Sequence, residues 1–216
     1  MSEILEVRFR RINVSSLSKY TSIHISEFIK TRDGRRLNFA CNEVSRVQEV
    51  PELTTNQAGK LRSVFSKVDV SPILPNFKRL RSLDMSDAKL KKLPFAIENL
   101  KHLRYLDISR NESIQALPES ITKLYNLQTL RLFKCRSLKK LPINIRNLVT
   151  LRHIFFDDES LMPSKLGCLT SLRTLPFFVV GLEEGHKIYE LEGLNELRGT
   201  LVFFNLEHVR DGEEAK

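Results

Sequence analysis

The side chains able to do chemistry are scattered along this chain. Histidines stand at positions 24, 102, 153, 186 and 208; no two have the H-x-x-x-H or Cys/His spacing that suits a zinc ion. Cys41, Cys135 and Cys168 make an odd count with no paired spacing, which points to free thiols in a reducing compartment rather than a disulfide framework. A phosphate-cradling loop needs several glycines and a Lys-Ser or Lys-Thr ending, and Gly59-Lys60-Leu61 has neither. No serine sits in a G-x-S-x-G elbow. The chain therefore reads as non-enzymatic, with no metal and no cofactor. Its chemistry is that of binding: exposed Lys pairs, and Tyr, Phe and Arg set between apolar positions, the residue types that anchor protein interfaces.

What positions those residues is a repeat. A unit L-x-x-L-x-L begins at Leu80, Leu103, Leu127 and Leu151, at nearly constant spacing. The first copy continues through Ala88, Leu90, Leu93 and Pro94; the second through Asn111, Ile114, Leu117 and Pro118; the third through Cys135, Leu138, Leu141 and Pro142. This period and pattern are the sequence form of a leucine-rich repeat. The alternation at Leu106 and Ile108 predicts a short strand with one buried face. The position shared by Ala88, Asn111 and Cys135 falls where the chain turns, and an Asn amide or Cys thiol there can bond to the neighbouring loop. Pro favours a first helical position, so residues 95–100, 119–124 and 143–148 read as one- or two-turn helices, with Ile97, Leu100, Ile121, Leu124, Ile145 and Leu148 facing inward. The fold class is α/β: a leucine-rich-repeat solenoid, or horseshoe, with a parallel concave β-sheet and short convex helices or turns. No single repeat can bury its own face, so the core runs continuously along the array.

The chain divides accordingly. Residues 1–19 form a lead-in segment without a repeat. Residues 20–76 hold irregular N-terminal repeats with strands at Ile23/Ile25, Leu37/Phe39 and Leu61/Val64. Regular repeats occupy 77–180, where Leu172, Leu175 and Phe177 mark a strand that follows Leu151 after a shortened period. Residues 181–190 are a charged insertion loop beginning Gly-Leu-Glu-Glu-Gly-His-Lys-Ile, and 191–216 carry a further, truncated repeat through Leu194, Leu197, Leu201, Phe203, Leu206 and Val209. The strand register puts Tyr105, Asp107, Arg131, Phe133, His153, Phe155 and Phe178 on the concave face as candidate protein-binding residues. Phe133 and Phe155 could equally pack on neighbouring side chains of the sheet.

Charge is split along the chain. Residues 77–156 carry 17 Lys/Arg against 6 Asp/Glu, whereas residues 157–216 carry 6 against 12. Lys91-Lys92 and Lys139-Lys140 take the same offset in the first and third repeats, forming one basic stripe. It reads either as a solvated face or as a docking surface for an acidic protein. Nucleic acid is disfavoured as a partner, because no aromatic stacking platform is interleaved with the Lys/Arg and no reader motif appears. No apolar run approaches a membrane span, and the acidic start Met1-Ser2-Glu3-Ile4-Leu5-Glu6 is unlike a secretory signal. The Asn13-Val14-Ser15 and Asn111-Glu112-Ser113 triplets are therefore expected to be unused as glycosylation sites, and the location is cytoplasmic.

The run Phe77-Lys-Arg-Leu-Arg-Ser-Leu-Asp-Met-Ser, followed by Leu93-Pro-Phe-Ala-Ile-Glu-Asn-Leu-Lys-His-Leu-Arg-Tyr-Leu-Asp-Ile-Ser109, resembles the early repeats of plant nucleotide-binding leucine-rich-repeat disease-resistance proteins of the coiled-coil type. Glu192-Gly-Leu-Asn-Glu-Leu-Arg-Gly-Thr-Leu201 and Asn205-Leu-Glu-His-Val-Arg-Asp-Gly-Glu-Glu-Ala-Lys216 look like a later segment of the same repeat portion. The resemblance implies a module of an intracellular immune receptor. Its partners would be a pathogen effector or guarded host protein, together with the receptor's nucleotide-binding switch domain held in autoinhibitory contact. The phosphate loop and acidic motif of that domain do not occur here, so the chain is expected to be a fragment. The alternative is a signalling scaffold similar to the Ras-associated leucine-rich-repeat proteins, which share the Leu-Pro-x-x-Ile-x-x-Leu phrasing. The shortened period after Leu151 and the charged insertion speak against it.

Overall fold

In the computed structural model, residues 56–209 are described throughout, and Thr55 and strands 27–28 and 36–40 by their backbone. The expected lead-in, the Ile23/Ile25 strand, Cys41, the Asn13 triplet and the Glu-Glu-Ala-Lys ending lie outside the described residues. Strands β1 (Glu27–Phe28), β2 (Arg36–Ala40), β3 (Ser63–Ser66), β4 (Ser82–Asp84), β5 (Tyr105–Asp107), β6 (Thr129–Arg131) and β7 (His153–Phe155) form one sheet in sequence order. β1 pairs antiparallel to β2, and every later neighbour is parallel. A short helix, α1 (Thr55–Lys60), precedes β3.

The strands from β2 to β7 are short, because the repeat must return within one period. From β4 onward the central residue enters the core: Leu83, Leu106, Leu130 and Ile154 are each fully buried. The return runs through 3-10 helices at Phe95–Asn99, Glu119–Lys123 and Ile143–Asn147. Each is one tight turn, closed by the N–H of Leu100, Leu124 or Leu148 on the carbonyl of Ile97, Ile121 or Ile145. The turns begin at Phe95, Glu119 and Ile143, the starts expected from the sequence, with Pro94, Pro118 and Pro142 directly before them as N-cap residues. Their lack of an N–H costs nothing there. All six inward residues expected of these turns are buried.

Adjacent turns are bonded by Asn111, which has no exposed surface. Its Oδ1 accepts the Leu90 N–H at 2.9 Å, and its Nδ2 donates to the carbonyls of Met85 (2.8 Å), Ile108 (2.7 Å) and Ser109 (3.3 Å). Two successive repeats thus share one side-chain amide. Cys135 does part of this at the next level, its Sγ donating to the Ile108 carbonyl at 3.3 Å. Burial pushes that thiol up to about 11, so it stays protonated as a donor. The residue before each of these positions is left-handed: Asp87 (φ 58°), Arg110 (φ 61°) and Lys134 (φ 59°).

The sheet stops at β7 for a chemical reason. Thr174 bridges His153, and its N–H donates to the Arg152 carbonyl at 3.0 Å, as Thr129 does to Arg104 at 2.9 Å. The next N–H of a parallel ladder falls at Pro176, which has none. Pairing resumes separately between β8 (Phe177–Val179) and β9 (Val202–Phe204). The buried positions become Leu175, Phe178 and Val180 rather than Leu175 and Phe177. Phe177 instead lies edge-on between Phe156 and Phe204, with ring centroids 5.0 and 5.5 Å away.

The charged segment after β8 is a compact turn. Gly181 N–H donates to the His186 carbonyl at 2.8 Å, and Lys165 N–H donates to the Gly185 carbonyl at 2.7 Å. Gly185 is required there: its φ is 88°, and a Cβ would meet Lys165 at 3.0–3.1 Å. A 3-10 turn at Ile188–Leu191 follows. In the last unit Leu194 is buried and Leu197, Leu201 and Val209 pack against the core. Phe203 and Leu206 remain 37% and 53% exposed. Among the described residues no helix is long and apolar enough to cross a membrane.

Three substitutions probe this stack. Leu106→Ala should cost about 2–5 kcal/mol through lost burial and a cavity. Asn111→Ala should cost about 1–3 kcal/mol, since it strands the buried Leu90 N–H, while the Met85 carbonyl keeps the Ala88 N–H. Asn111→Cys should be milder, because a thiol serves at the equivalent Cys135. Urea melts rank the three. An Asn111→Ala variant as stable as wild type would show that the amide is not what joins the turns.

Candidate functional site

The parallel register decides which residues meet on the concave face. Tyr105, Thr129 and His153 form one row across β5, β6 and β7, and Asp107, Arg131 and Phe155 form the next. Because side chains alternate, both rows face away from the buried Leu106, Leu130 and Ile154.

A chain of contacts runs along these rows. The Tyr105 hydroxyl donates to Asp107 Oδ2 at 3.1 Å, and Arg131 Nε lies 2.9 Å from the same oxygen. Asp107 Oδ1 accepts the Ser109 N–H at 2.9 Å. The Arg131 guanidinium carbon lies 4.8 Å from the centroid of the Phe155 ring, within cation–π range. Phe155 is stacked beside His153 at 6.4 Å, with 10° between the planes. His153 Nδ1 meets Thr174 Oγ1 at 3.0 Å. Six side chains from four successive levels are thereby held in one arrangement.

Electrostatics follow from this packing. Burial, then the carboxylates of Asp107 and Asp84, push the Tyr105 phenol well above its ordinary value. Burial, then the charges of Arg173 and Arg152, hold His153 below its ordinary value, which favours the neutral imidazole. Asp107 is only 6% exposed, not the solvent-facing acid that alternation alone implies, because Tyr105 and Arg131 close over it.

Of the other candidates, Phe133 is 41% exposed, with the Lys134 ammonium 5.6 Å from its ring centroid. Phe178 is corrected: it is 1% exposed and packs in the core against Phe203. The break at Pro176 displaces the repeat register, so Phe177 and Val179 take the outward positions that spacing alone assigns to Phe178. Lys91, Lys92, Lys139 and Lys140 are all exposed, and Lys139 N–H reaches the Gln115 carbonyl of the intervening repeat at 3.4 Å. Asn111 of the glycosylation triplet is buried with its amide fully engaged. Thr174 completes the row although it is not among the sequence candidates; its place one shortened period after His153 is the available signal. Among the described residues no group of three or more His, Cys, Asp or Glu side chains could hold a metal.

Comparison with known proteins agrees with this architecture. The family described as a leucine-rich repeat region matches residues 60–215. A candidate disease resistance protein of Solanum bulbocastanum, RGA1, is 37% identical over 214 residues, covering 96% of this chain and 21% of that protein. One from Arabidopsis thaliana is 40% identical over 149 residues, covering 68% of this chain and 10% of that protein. The chain thus spans about a fifth or less of the length of these curated relatives. Among solved structures, a leucine-rich-repeat protein of Leptospira interrogans superposes with a TM-score of 0.59 at 26% identity, over 72% of this chain and 40% of that one. The functional domain of InlJ from Listeria monocytogenes shares the fold, with a TM-score of 0.53 at 17% identity over 78% of this chain and 39% of that one.

The phenol at the head of the row gives a pH signature. A group raised in the folded state stabilises fully below its ordinary value, near 10 for Tyr105, and loses that contribution as pH climbs toward the folded value. Stability measured from pH 8 to 11 should therefore fall more steeply in wild type than in Tyr105→Phe. Parallel curves would mean that Tyr105 ionises freely and that the row is open to water.

Proposed function

Because the chain belongs to the leucine-rich repeat region family and its plant relatives carry disease-resistance names, we propose that it is the protein-binding module of an intracellular, cytoplasmic plant immune receptor. In this reading the module binds rather than catalyses. The concave face takes a pathogen-derived protein or a modified host protein. The basic stripe of Lys91, Lys92, Lys139 and Lys140 holds the receptor's acidic switch domain in autoinhibitory contact.

One observation carries the reading: the ordered row Tyr105–Asp107–Arg131–Phe155–His153. An arginine with its guanidinium laid over an aromatic ring and anchored on a carboxylate has already lost much of its conformational freedom, so a partner meets a preorganised surface. Rigid aromatic and Arg groups at the centre of a patch are where interface energy concentrates. The stripe adds rate more than affinity, through steering that salt screens within roughly 10 Å at 0.1 M.

The two surfaces are separable. Partners from a two-hybrid screen of secreted pathogen proteins and host proteins should lose at least about tenfold in affinity against Arg131→Ala and Phe155→Ala, a hot-spot loss of about 1.4 kcal/mol or more. Partners indifferent to both would remove the concave face from the proposal. Changing the four stripe lysines to Glu should slow association with a switch domain of this receptor family by about tenfold at low salt, with the melt unchanged because exposed charges add little stability. Association rates that ignore both salt and the substitutions would leave the stripe a solvated face.

A further inference from the structure

We infer that the basin at the left-handed turns, beside the concave sheet, binds the phosphate of a phosphorylated acidic protein segment. This site is distinct from the concave row and does not rest on it. The basin encloses about 420 Å³ and is lined by Lys89, Arg110, Lys134 and Arg136, with Asp87 and Glu112 between them and the Ser113 hydroxyl at its side.

Three observations point to a multiply charged anion. The first is backbone. Lys89, Arg110 and Lys134 have φ of 55°, 61° and 59°, conformations that glycine or asparagine adopt far more readily. The turns alone call for those residues, yet all three carry long cationic side chains. The second is charge. Equivalent positions on adjacent strands of a sheet lie about 4.8 Å apart, so Arg110 and Lys134 are held as like-charged neighbours. Among the described residues the only ion pair within this group is Arg136 to Glu112, at a long 3.6 Å between highly exposed side chains. The four lining cations outnumber the two lining acids, and with Asp157 bonded to the Lys134 N–H at 2.9 Å the edge still keeps an excess of positive charge, which suits the charge of about −1.5 to −2 on a phosphate monoester at pH 7. The third is side-chain type. Two arginines and two lysines line one basin, the side-chain types that take a tetrahedral oxyanion by charge-assisted bonds.

The surroundings select an acidic peptide as the bearer. Lys91 and Lys92 follow Lys89 along the chain, and Lys139 and Lys140 follow Arg136; all four are exposed and extend the positive surface for flanking acids. No aromatic ring lines the basin, so it offers nothing for a base to stack upon. Glu112 is a built-in competitor that an incoming phosphate displaces from Arg136.

Fluorescence anisotropy on the full chain tests this with three labelled peptides: Asp-Glu-phosphoserine-Asp-Glu, its unphosphorylated form, and a form with Asp replacing the phosphoserine. The phosphopeptide should bind at least tenfold more tightly than either other peptide, and less well below pH 6 as the phosphate gains a proton. The double variant Arg110→Gly/Lys134→Gly should lose at least tenfold in affinity while melting no lower than wild type, because glycine suits both turns. Glu112→Gln should bind more tightly, because it removes the carboxylate that competes for Arg136. Equal affinity for the three peptides, or undiminished binding by the double glycine variant, overturns the proposal. So does inositol hexakisphosphate binding where the phosphopeptide does not, which would make the basin a small-polyphosphate site.

Discussion

The amide of Asn111 bonds to backbone groups of two successive turns, and the rest of the array depends on bonds of that kind. A repeat this short forms a brief strand and a single 3-10 turn. Neither retains its shape alone, and neither can bury its leucines without a neighbour. Hydrophobic burial supplies the stacking force but is non-directional. The buried side-chain hydrogen bond turns that force into a register, because an unpaired amide or carbonyl in the core costs more than any sideways slip recovers. Once the register is held, the rows on the concave face are determined, and with them the meeting of Asp107, Arg131 and Phe155.

Where apolar positions repeat strictly, sequence and structure coincide. Leu83, Leu106, Leu130 and Ile154 are core residues because both the period and the alternation say so. Legibility fails where a single backbone group overrides the pattern. Pro176 is visible in the sequence, but its effect is to withhold one ladder hydrogen bond, and that shifts Phe178 inward and Phe177 outward. Asp107 is legible as a concave residue but not as a buried one. Its near-burial comes from Tyr105 on its own strand and Arg131 on the next, a grouping that only the stacked register brings together. The turn cations escape notice for another reason. A left-handed lysine or arginine carries no compositional mark, and only the geometry reveals that glycine would have been the easier choice.

The concave face and the turn edge show two ways of holding charge. On the face, Asp107 and Arg131 pair with each other beside the Phe155 ring, and burial raises Tyr105 and lowers His153, which favours the uncharged form of each. In the proposed reading a partner meets shape, rings and one oriented guanidinium there. Along the turn edge the cations are exposed and largely unanswered, so attraction acts at longer range and responds to salt. In the proposed reading, the module separates a surface suited to slow, specific dissociation from one suited to rapid capture.

The interruption at Pro176 also bears on how the length of such an array can vary. In an unbroken ladder, adding residues between two strands forces the added chain to bulge outward while both strands keep their pairing. Here the ladder has already ended, and the next pair of strands makes its own bonds. The stretch from Gly181 to Leu191 holds the Gly185 turn and a single helical turn, and its presence displaces no inter-strand hydrogen bond of the larger sheet. Chain length at this junction is therefore uncoupled from the hydrogen bonds of the seven strands before it, and what limits the loop is its own tie, the Gly185 carbonyl on the Lys165 N–H.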